Sequence, residues 1–144
     1  MAEHWIVPCN IKVFDVIAHF KDHTHVVWKN AFTIKKGDIV YLYLSSPYGE
    51  IKYKCLVTSD SISDQKLQEN PYAIRTKASY NYYSRKIKYI EMLYLREYPS
   101  QTFPLETLKK HGLGQVQIQA RTDRRLQHFI DEVEEQLTKQ TEGG

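Results

Sequence analysis

Two runs of alternating residues in the middle of the chain constrain its fold more than any other feature. In the first run, residues 39–44, the two-residue period of a strand puts Tyr41 and Tyr43 on one face and aliphatic residues on the other. Turn-forming residues at 45–49 separate it from the second run, residues 50–57. The two runs are therefore predicted to form an antiparallel pair of strands. In the second run, the predicted outward-facing residues are Glu50, Lys52 and Lys54.

The segments on either side of this pair have strand-like and helix-like patterns in turn. A short apolar run at 5–8 predicts a buried strand, and Asn10 after it is a predicted helix N-cap. Residues 87–98 have strand character, Phe103-Pro104 opens a short helix, and a cap at 122–123 begins a final amphipathic helix. We therefore predict an α+β fold with a strongly curved, mainly antiparallel sheet.

The length of 144 residues fits one domain, which we place at residues 1–140, followed by a tail or linker at 141–144. No apolar stretch approaches the roughly 18 residues that span a bilayer, so no membrane association is expected. The two cysteines, Cys9 and Cys55, indicate free thiols and a cytoplasmic protein.

Charge is distributed unevenly along the sequence. The net charge is only +3, but residues 75–125 hold 11 basic and 4 acidic side chains. Seven of the 11 tyrosines lie between residues 72 and 98 and overlap this basic segment. Basic side chains hold phosphates and aromatic faces stack on bases, so the combination favours nucleic acid as the partner. The alternative is a solvated charged face together with the preference of tyrosine for strands.

Catalytic motifs are weak in this sequence. Asp38, Glu50 and Lys52 resemble the acidic-acidic-lysine pattern of metal-dependent nucleases, but the last two fall on the predicted outward edge. His23 and His25 lack a cysteine or acidic partner at metal-ligand spacing. No catalytic triad, phosphate-binding glycine loop or dinucleotide fingerprint is present in the sequence. The chain is therefore expected to be a binding domain without a metal or cofactor, and not an enzyme.

The order of several segments resembles a known family. Residues 5–10 (WIVPCN) precede a predicted helix, and Val27-Trp28-Lys29 follows it. Next come residues 36–43 (KGDIVYLY) and the loop 45–48 (SSPY). This order resembles the EVE domain of the PUA-like superfamily. Residues 111–121 (HGLGQVQIQAR) are similar to the version joined to HNH nucleases in modification-dependent restriction enzymes.

The resemblance covers roughly residues 4–138 and implies a small curved β-barrel of PUA/EVE type with flanking helices. It also implies a pocket that receives a modified base flipped out of DNA. Such a pocket needs a flat apolar face for stacking and polar groups matched to the base edge. Trp28 sits where the family places its pocket tryptophan, with a core tryptophan as the alternative. The residues assigned to the modified-base pocket are Asn10, Trp28, Tyr41, Tyr43, Ser45, Ser46 and Tyr48.

A second set of residues is assigned to DNA contacts outside the pocket. Gln115, Gln117, Gln119 and Arg121 alternate along one segment, with the spacing to enter a groove and fill the space left by the extruded base. The alternative for this segment is a surface strand. The basic residues are assigned to phosphates. The whole set is Lys77, Tyr82, Arg85, Lys86, Gln117, Gln119, Arg121, Arg124 and Arg125.

Together these observations predict a non-catalytic reader of double-stranded DNA that carries modified bases, with C5-modified cytosine as the expected base. The chain has no His-Asn-His set of an HNH nuclease. The chain is therefore either the recognition domain of a longer protein, which targets a C-terminal nuclease domain, or a free-standing reader, and we favour the first interpretation. The alternative is an RNA-binding PUA-like module that recognises modified or structured RNA.

Overall fold

The computed structural model describes residues 2–30, 33–62 and 88–143. Strands and helices share this part of the chain, and the strands predominate. In chain order, the elements are β1 (His4–Cys9), α1 (Val16–Asp22), β2 (His25–Asn30), β3 (Ile39–Leu44), β4 (Glu50–Ser59), β5 (Lys88–Glu97), α2 (Leu105–Lys110), β6 (Ala120–Arg121) and α3 (Arg124–Gly143).

The described strands form one sheet in the order β2-β5-β4-β3-β1-β6. All neighbours are antiparallel except β1 and β3, which run parallel from the His4–Ile39 pair to the Cys9–Leu44 pair. The predicted antiparallel pairing of β3 with β4 is confirmed. The sheet is therefore mixed but mainly antiparallel, as the sequence pattern indicated.

A bulge in β4 reverses the direction in which its first residues face. Tyr53 pairs with Leu42 of β3, but Ile51 pairs with the very next residue, Tyr43, so one residue of β4 is extra. Because of this extra residue, the side chains that precede the bulge point to the opposite face of the sheet from the one that simple alternation predicts. The bulge also increases the local bend of the strand. Glu50 is consequently buried, at 2% exposure, which corrects its predicted outward position.

The inner face of the curled sheet carries an apolar core. It is built from alternate residues of β1 to β5, with α1 packed against it. The ring of Phe20, in α1, lies 5.0 Å from the ring of Tyr53 and 5.1 Å from that of Tyr94. The buried residues of this core are Trp5, Val7, Cys9, Phe14, Val16, Val26, Trp28, Ile34, Val40, Leu42, Leu44, Tyr53, Cys55, Val57, Ile90 and Met92.

The outer face of the sheet packs against α2 and α3. Its sheet residues include Tyr41 and Tyr43, the opposite side of β3 from the inner core. The predicted apolar stripe of the final helix is confirmed, because all of its members belong to this second core. These stripe residues are Leu126, Phe129, Ile130, Val133 and Leu137.

A charged cluster fastens α3 to the sheet. The Nζ of Lys54 lies 3.0 Å from one carboxylate oxygen of Glu134, and an Nη of Arg96 lies 3.7 Å from the same oxygen. The hydroxyl of Tyr98 donates to the other oxygen at 3.0 Å. Glu134 thus links β4, β5 and the residue after β5 to a single position on the helix.

One side chain connects the two edge strands of the sheet. Gln119, directly before β6, donates from Nε2 to the carbonyl of Lys29 in β2 at 2.7 Å. Since β2 and β6 are the first and last strands in the sheet order, this bond bridges the gap between the edges. The curled sheet, bridged in this way and flanked by helices, confirms the predicted small α+β barrel.

The first helix begins later than the sequence pattern indicated. It starts at Val16, and Asp15 caps it by accepting the N–H of Ala18 at 3.1 Å. Asn10 instead lies in the turn before the helix, where its side chain accepts the N–H of Lys12 at 3.1 Å. The prediction that Asn10 caps this helix is therefore wrong.

The last helix begins where the sequence predicted. Asp123 accepts the N–H of Leu126 at 2.7 Å and so caps α3. The helix then continues to Gly143. It therefore includes residues 141–143, which the sequence placed in a tail or linker.

Candidate nucleic-acid interface

The ends of β1 and β3 place two loops side by side. Because these strands are parallel and in register, the chain leaves both at the same end of the sheet. The N–H of Ser45 donates to the carbonyl of Cys9 at 3.1 Å, and the N–H of Ile11 donates to the Ser45 hydroxyl at 3.2 Å. We call residues 10–13 and 45–48 together the loop end.

The loop end presents polar, cationic and aromatic groups to solvent. Asn10, Lys12 and Ser46 are exposed, and Val13 and Tyr48 are 45% and 39% exposed. A carboxamide and hydroxyls can pair with a base edge, and an aromatic ring can stack on a base face. The structure thus brings together four of the predicted pocket residues: Asn10, Ser45, Ser46 and Tyr48.

Trp28 lies inside the barrel and is connected to the loop end through Phe14. The N–H of Phe14 donates to the carbonyl of Asn10 at 3.1 Å, and its ring stands edge-on to Trp28 at a centroid distance of 5.7 Å. Trp28 itself is only 2% exposed and belongs to the inner core. In this structure Trp28 is therefore a core residue, and its ring is not exposed as the stacking face of a pocket.

Tyr41 and Tyr43 lie on the face of the sheet opposite Trp28. The hydroxyl of Tyr41 hydrogen-bonds with Nδ1 of His4 at 3.2 Å and accepts from Nε2 of Gln127 at 2.9 Å. Burial raises the pKa of Tyr41 above its ordinary value. Strand alternation and the covering by α3 keep both tyrosines out of any pocket that includes Trp28. Their assignment to the base pocket is therefore corrected.

The segment before β6 does not present its residues as a row of groove contacts. Gln117 is exposed, but Gln119 is 7% exposed and its carboxamide is bonded to the carbonyl of Lys29. Gln119 is thus a structural residue, which corrects its assignment to DNA. Arg121 is exposed, with its guanidinium 5.8 Å from the ring centre of Trp5.

The predicted phosphate contacts on α3 lie among groups of both signs. Arg124 lines a cavity of about 450 Å³ with the carboxylates of Glu3, Asp123 and Asp131. Arg125 is exposed and donates from Nη2 to the carbonyl of Lys110 at 2.7 Å. This region is therefore less favourable to a polyanion than the sequence count implied. The other predicted contacts, Lys77, Tyr82, Arg85 and Lys86, lie outside the described residues.

The nuclease hypothesis fails because its two carboxylates are used by the fold. Asp38 is 1% exposed and accepts from the N–H groups of Glu3 (3.1 Å) and Lys35 (3.1 Å) and from Nε1 of Trp5 (3.0 Å). Glu50 accepts the N–H of Gln101 at 2.8 Å. Buried carboxylates with these bonds cannot face a metal and a substrate.

Within residues 2–30, 33–62 and 88–143, no group of three or more His, Cys, Asp or Glu side chains is placed to hold a metal. His25, considered as a metal ligand, instead has its Nδ1 3.1 Å from the hydroxyl of Thr24. No helix in those ranges is long and apolar enough to cross a membrane.

Sequence reasoning missed Lys12 and Val13 as exposed residues of the loop end. An N-cap at Asn10 would place Lys12 and Val13 within the helix, but the helix begins only at Val16. The signal that could have found them is Asp15, a second capping residue immediately before the apolar Val16.

No family model matches the sequence, and no curated protein matches it significantly. Solved structures do match. A mutant of the ASCH protein from Zymomonas mobilis superposes with a TM-score of 0.64 at 11% identity, covering 91% of this chain and 96% of that one. Human THYN1, solved in complex with 5-methylcytosine-containing DNA, superposes with a TM-score of 0.61 at 13% identity. The match covers 93% of this chain and 98% of that one.

A hypothetical protein from Leishmania major gives a TM-score of 0.62 at 13% identity, covering 95% of this chain and 98% of that one. At these identities the likeness establishes a shared fold. The chain therefore has the PUA/ASCH-like α+β fold, a curled mixed sheet with flanking helices.

Proposed function

We propose that this chain is a non-catalytic reader of modified DNA that receives a C5-modified cytosine at the loop end. The observation that carries the proposal is the meeting of Asn10, Ser45, Ser46 and Tyr48 at one end of the barrel. These groups supply a carboxamide, two hydroxyls and an aromatic face within two adjacent loops. A flipped base requires donors and acceptors for its edge and a π-surface for its face.

Two further observations support DNA as the partner. Human THYN1, which shares the fold, was solved with DNA that contains 5-methylcytosine. The sequence also carries its basic excess in one segment, residues 75–125. We further propose that the reader targets a nuclease domain of the same longer protein, as the resemblance of residues 111–121 to restriction-enzyme readers suggests.

The direct test is competitive binding to three short duplexes of one sequence, with cytosine, 5-methylcytosine or 5-hydroxymethylcytosine at one position. The proposal expects a modified duplex to bind at least tenfold more tightly than the unmodified one, the effect of about 1.4 kcal/mol. An RNA of the same sequence is the fourth arm. Preferential binding of the RNA would favour the RNA-module alternative and contradict the DNA reader.

Asn10→Ser separates base reading from folding. The serine hydroxyl can still accept the N–H of Lys12, but it cannot pair with a base edge as a carboxamide does. We expect discrimination between modified and unmodified duplexes to fall while the melting temperature stays the same. Gln136→Ser, an exposed amide on α3, is the matched control and should change neither quantity.

Phosphate contacts are tested with Arg124 and Arg125 replaced together by alanine. Phosphates carry no base information, so both duplexes should be weakened equally. The slope of log K against log salt should shrink by about 0.9 for each lost contact. An unchanged slope would remove α3 from the interface, as the carboxylates around Arg124 suggest, and leave the loop end in place.

A further inference from the structure

We propose, resting on the DNA-reader function above, that Ile118 is the side chain that enters the base stack when the modified base leaves it. Flipping a base opens a gap in the duplex, and proteins that unstack bases commonly insert an apolar wedge between steps. The sequence assigned this task to Gln117, Gln119 and Arg121. The structure points instead to the residue between the two glutamines.

Ile118 is the most exposed large apolar residue that the described part of the chain presents. Its exposure is 55%, compared with 45% for Val13 and 42% for Leu95. An isolated exposed apolar side chain is ordinary on a protein surface. What distinguishes Ile118 is the way in which its backbone is held.

The backbone under Ile118 is fixed from one side by Gln115. The Oε1 of Gln115 accepts the N–H of Gln117 at 2.6 Å and the N–H of Ile118 at 3.0 Å. These two bonds close a tight side-chain turn, so that residues 117 and 118 form an exposed tip on an ordered base. A wedge must be rigid, because a floppy tip would lose the gain from insertion to ordering entropy.

The other side of the tip is fixed to the barrel. Gln119 is bonded to the carbonyl of Lys29 at 2.7 Å, and the following residues pair with β1. Because β6 runs antiparallel to β1, the segment before β6 comes from the side where β1 ends in the loop end. The Ile118 tip therefore lies on the side of the barrel from which a base would enter.

The chemistry of the tip suits the interior of a duplex. Residues 112–120 carry no charged side chain. A carboxylate there would be repelled by phosphates, and a lysine would be held at the backbone and not between the bases. Ile118, flanked by two neutral glutamines, can be transferred from water to the apolar stack without desolvating a charge.

The test uses Ile118→Ala, with Leu95→Ala as the matched control on another exposed apolar residue. Two duplexes carry 5-methylcytosine, one fully paired and one with the modified base in a mismatch. Ile118→Ala should weaken binding to the paired duplex about tenfold, since the cost of unstacking the step is then no longer offset by an inserted side chain. Binding to the mismatched duplex, whose base is already partly free, should fall no more than about twofold.

A second readout follows the base stack itself. With 2-aminopurine next to the modified base, the wild-type protein should raise its fluorescence, because this base brightens when it is unstacked. Ile118→Ala should raise it less, Ile118→Leu should restore it, and Leu95→Ala should not change it. Equal losses on both duplexes, or an unchanged fluorescence signal with Ile118→Ala, would overturn the wedge.

The two proposals fail in different ways. If the wild-type protein binds modified and unmodified duplexes alike, the reader function fails, and the wedge is judged from the fluorescence on either duplex. If it binds no duplex at all, both proposals fail. Ile118→Ala should keep the wild-type melting temperature, because the residue is exposed.

Discussion

The inner and outer faces of the curled sheet are held by different chemistry. The inner face packs aliphatic, aromatic and cysteine side chains against α1, with Trp28 at 2% exposure among them. The outer face buries hydroxyl and carboxylate groups under α3, as in the bond of Tyr98 to Glu134 at 3.0 Å. The outer face is closed by α3, whereas the loop end lies at the end of the sheet where β1 and β3 finish and presents polar groups to solvent.

The largest effect on this comparison is expected from Trp28→Ala. Removing a fully buried indole leaves a cavity, so the free energy of unfolding should fall by about 3–5 kcal/mol. Urea denaturation measures it, and Trp28→Phe should cost less. If the variant keeps its stability and loses only the preference for modified DNA, Trp28 belongs to an open pocket and the assignment to the core is wrong.

Asp38→Ala should give the next largest loss of stability. It removes the carboxylate that accepts three hydrogen bonds, and buried donors without a partner cost about 1–3 kcal/mol each, of which relaxation and water recover part. We expect a loss of about 3 kcal/mol in the free energy of unfolding, and a smaller loss for Asp38→Asn, which keeps one acceptor oxygen. A wild-type melting curve for Asp38→Ala would show that this carboxylate does not hold the start of β1 to the turn before β3.

Alkaline pH probes the inner face through its thiols. Burial raises the pKa of Cys9 and of Cys55 from 9.0 to about 12. Their contribution to stability is therefore complete below pH 9 and is lost as the pH rises toward 12, because the unfolded thiols ionise first. By pH 10 the ionisation of each thiol in the unfolded chain should have lowered the free energy of unfolding by about 1.4 kcal/mol. Buried tyrosines such as Tyr41 and Tyr53, whose pKa values burial also raises, add to this decline. Cys55→Ala should therefore reduce the loss between pH 9 and pH 10 by about 1 kcal/mol, the share of one thiol; an unchanged decline would contradict the burial of this thiol.

Glu134→Gln tests the outer face with a smaller effect. The substitution removes the charge that Lys54 and Arg96 share, so we expect a loss of about 1–2 kcal/mol in the free energy of unfolding. Glu135→Gln is the matched control, since its pair with Lys139 is exposed and such pairs contribute little. Equal effects of the two substitutions would show that the cluster does not fasten the helix.

Local patterns predicted most of the strands and the stripe of α3 because both depend on the spacing of apolar residues. The bulge in β4 was not predictable, since nothing in the alternation of residues 50–57 marks one residue as extra. Its consequence was the wrong facing of Glu50. The sequence also did not determine where α1 begins, because Asn10 and Asp15 are both favourable N-cap residues. The packing of Phe14 on Trp28, a tertiary contact, decides between them.

The residues of the candidate site could be grouped only in part, for a related reason. Asn10, Ser45, Ser46 and Tyr48 follow strands whose ends meet, so their order along the chain was enough to group them. Tyr41 and Tyr43 were misplaced because alternation fixes which residues share a face but not which face becomes the barrel interior. The parallel pairing of β1 with β3 brings the two loops together and also decides which face Tyr41 and Tyr43 occupy. This pairing depends on contacts between distant residues that no local pattern encodes.

The most direct test of the central claim is an NMR titration of isotope-labelled protein with the 5-methylcytosine duplex, followed through backbone amide shifts. If the loop end reads the base, the largest changes should fall on residues 10–13 and 45–48 and on the tip around Ile118. The amides in the middle of α3, from Asp131 to Gln136, should change little, because the arginines proposed to contact phosphates lie in its first turn. Changes centred on α3, with the loop end unperturbed, would contradict the account.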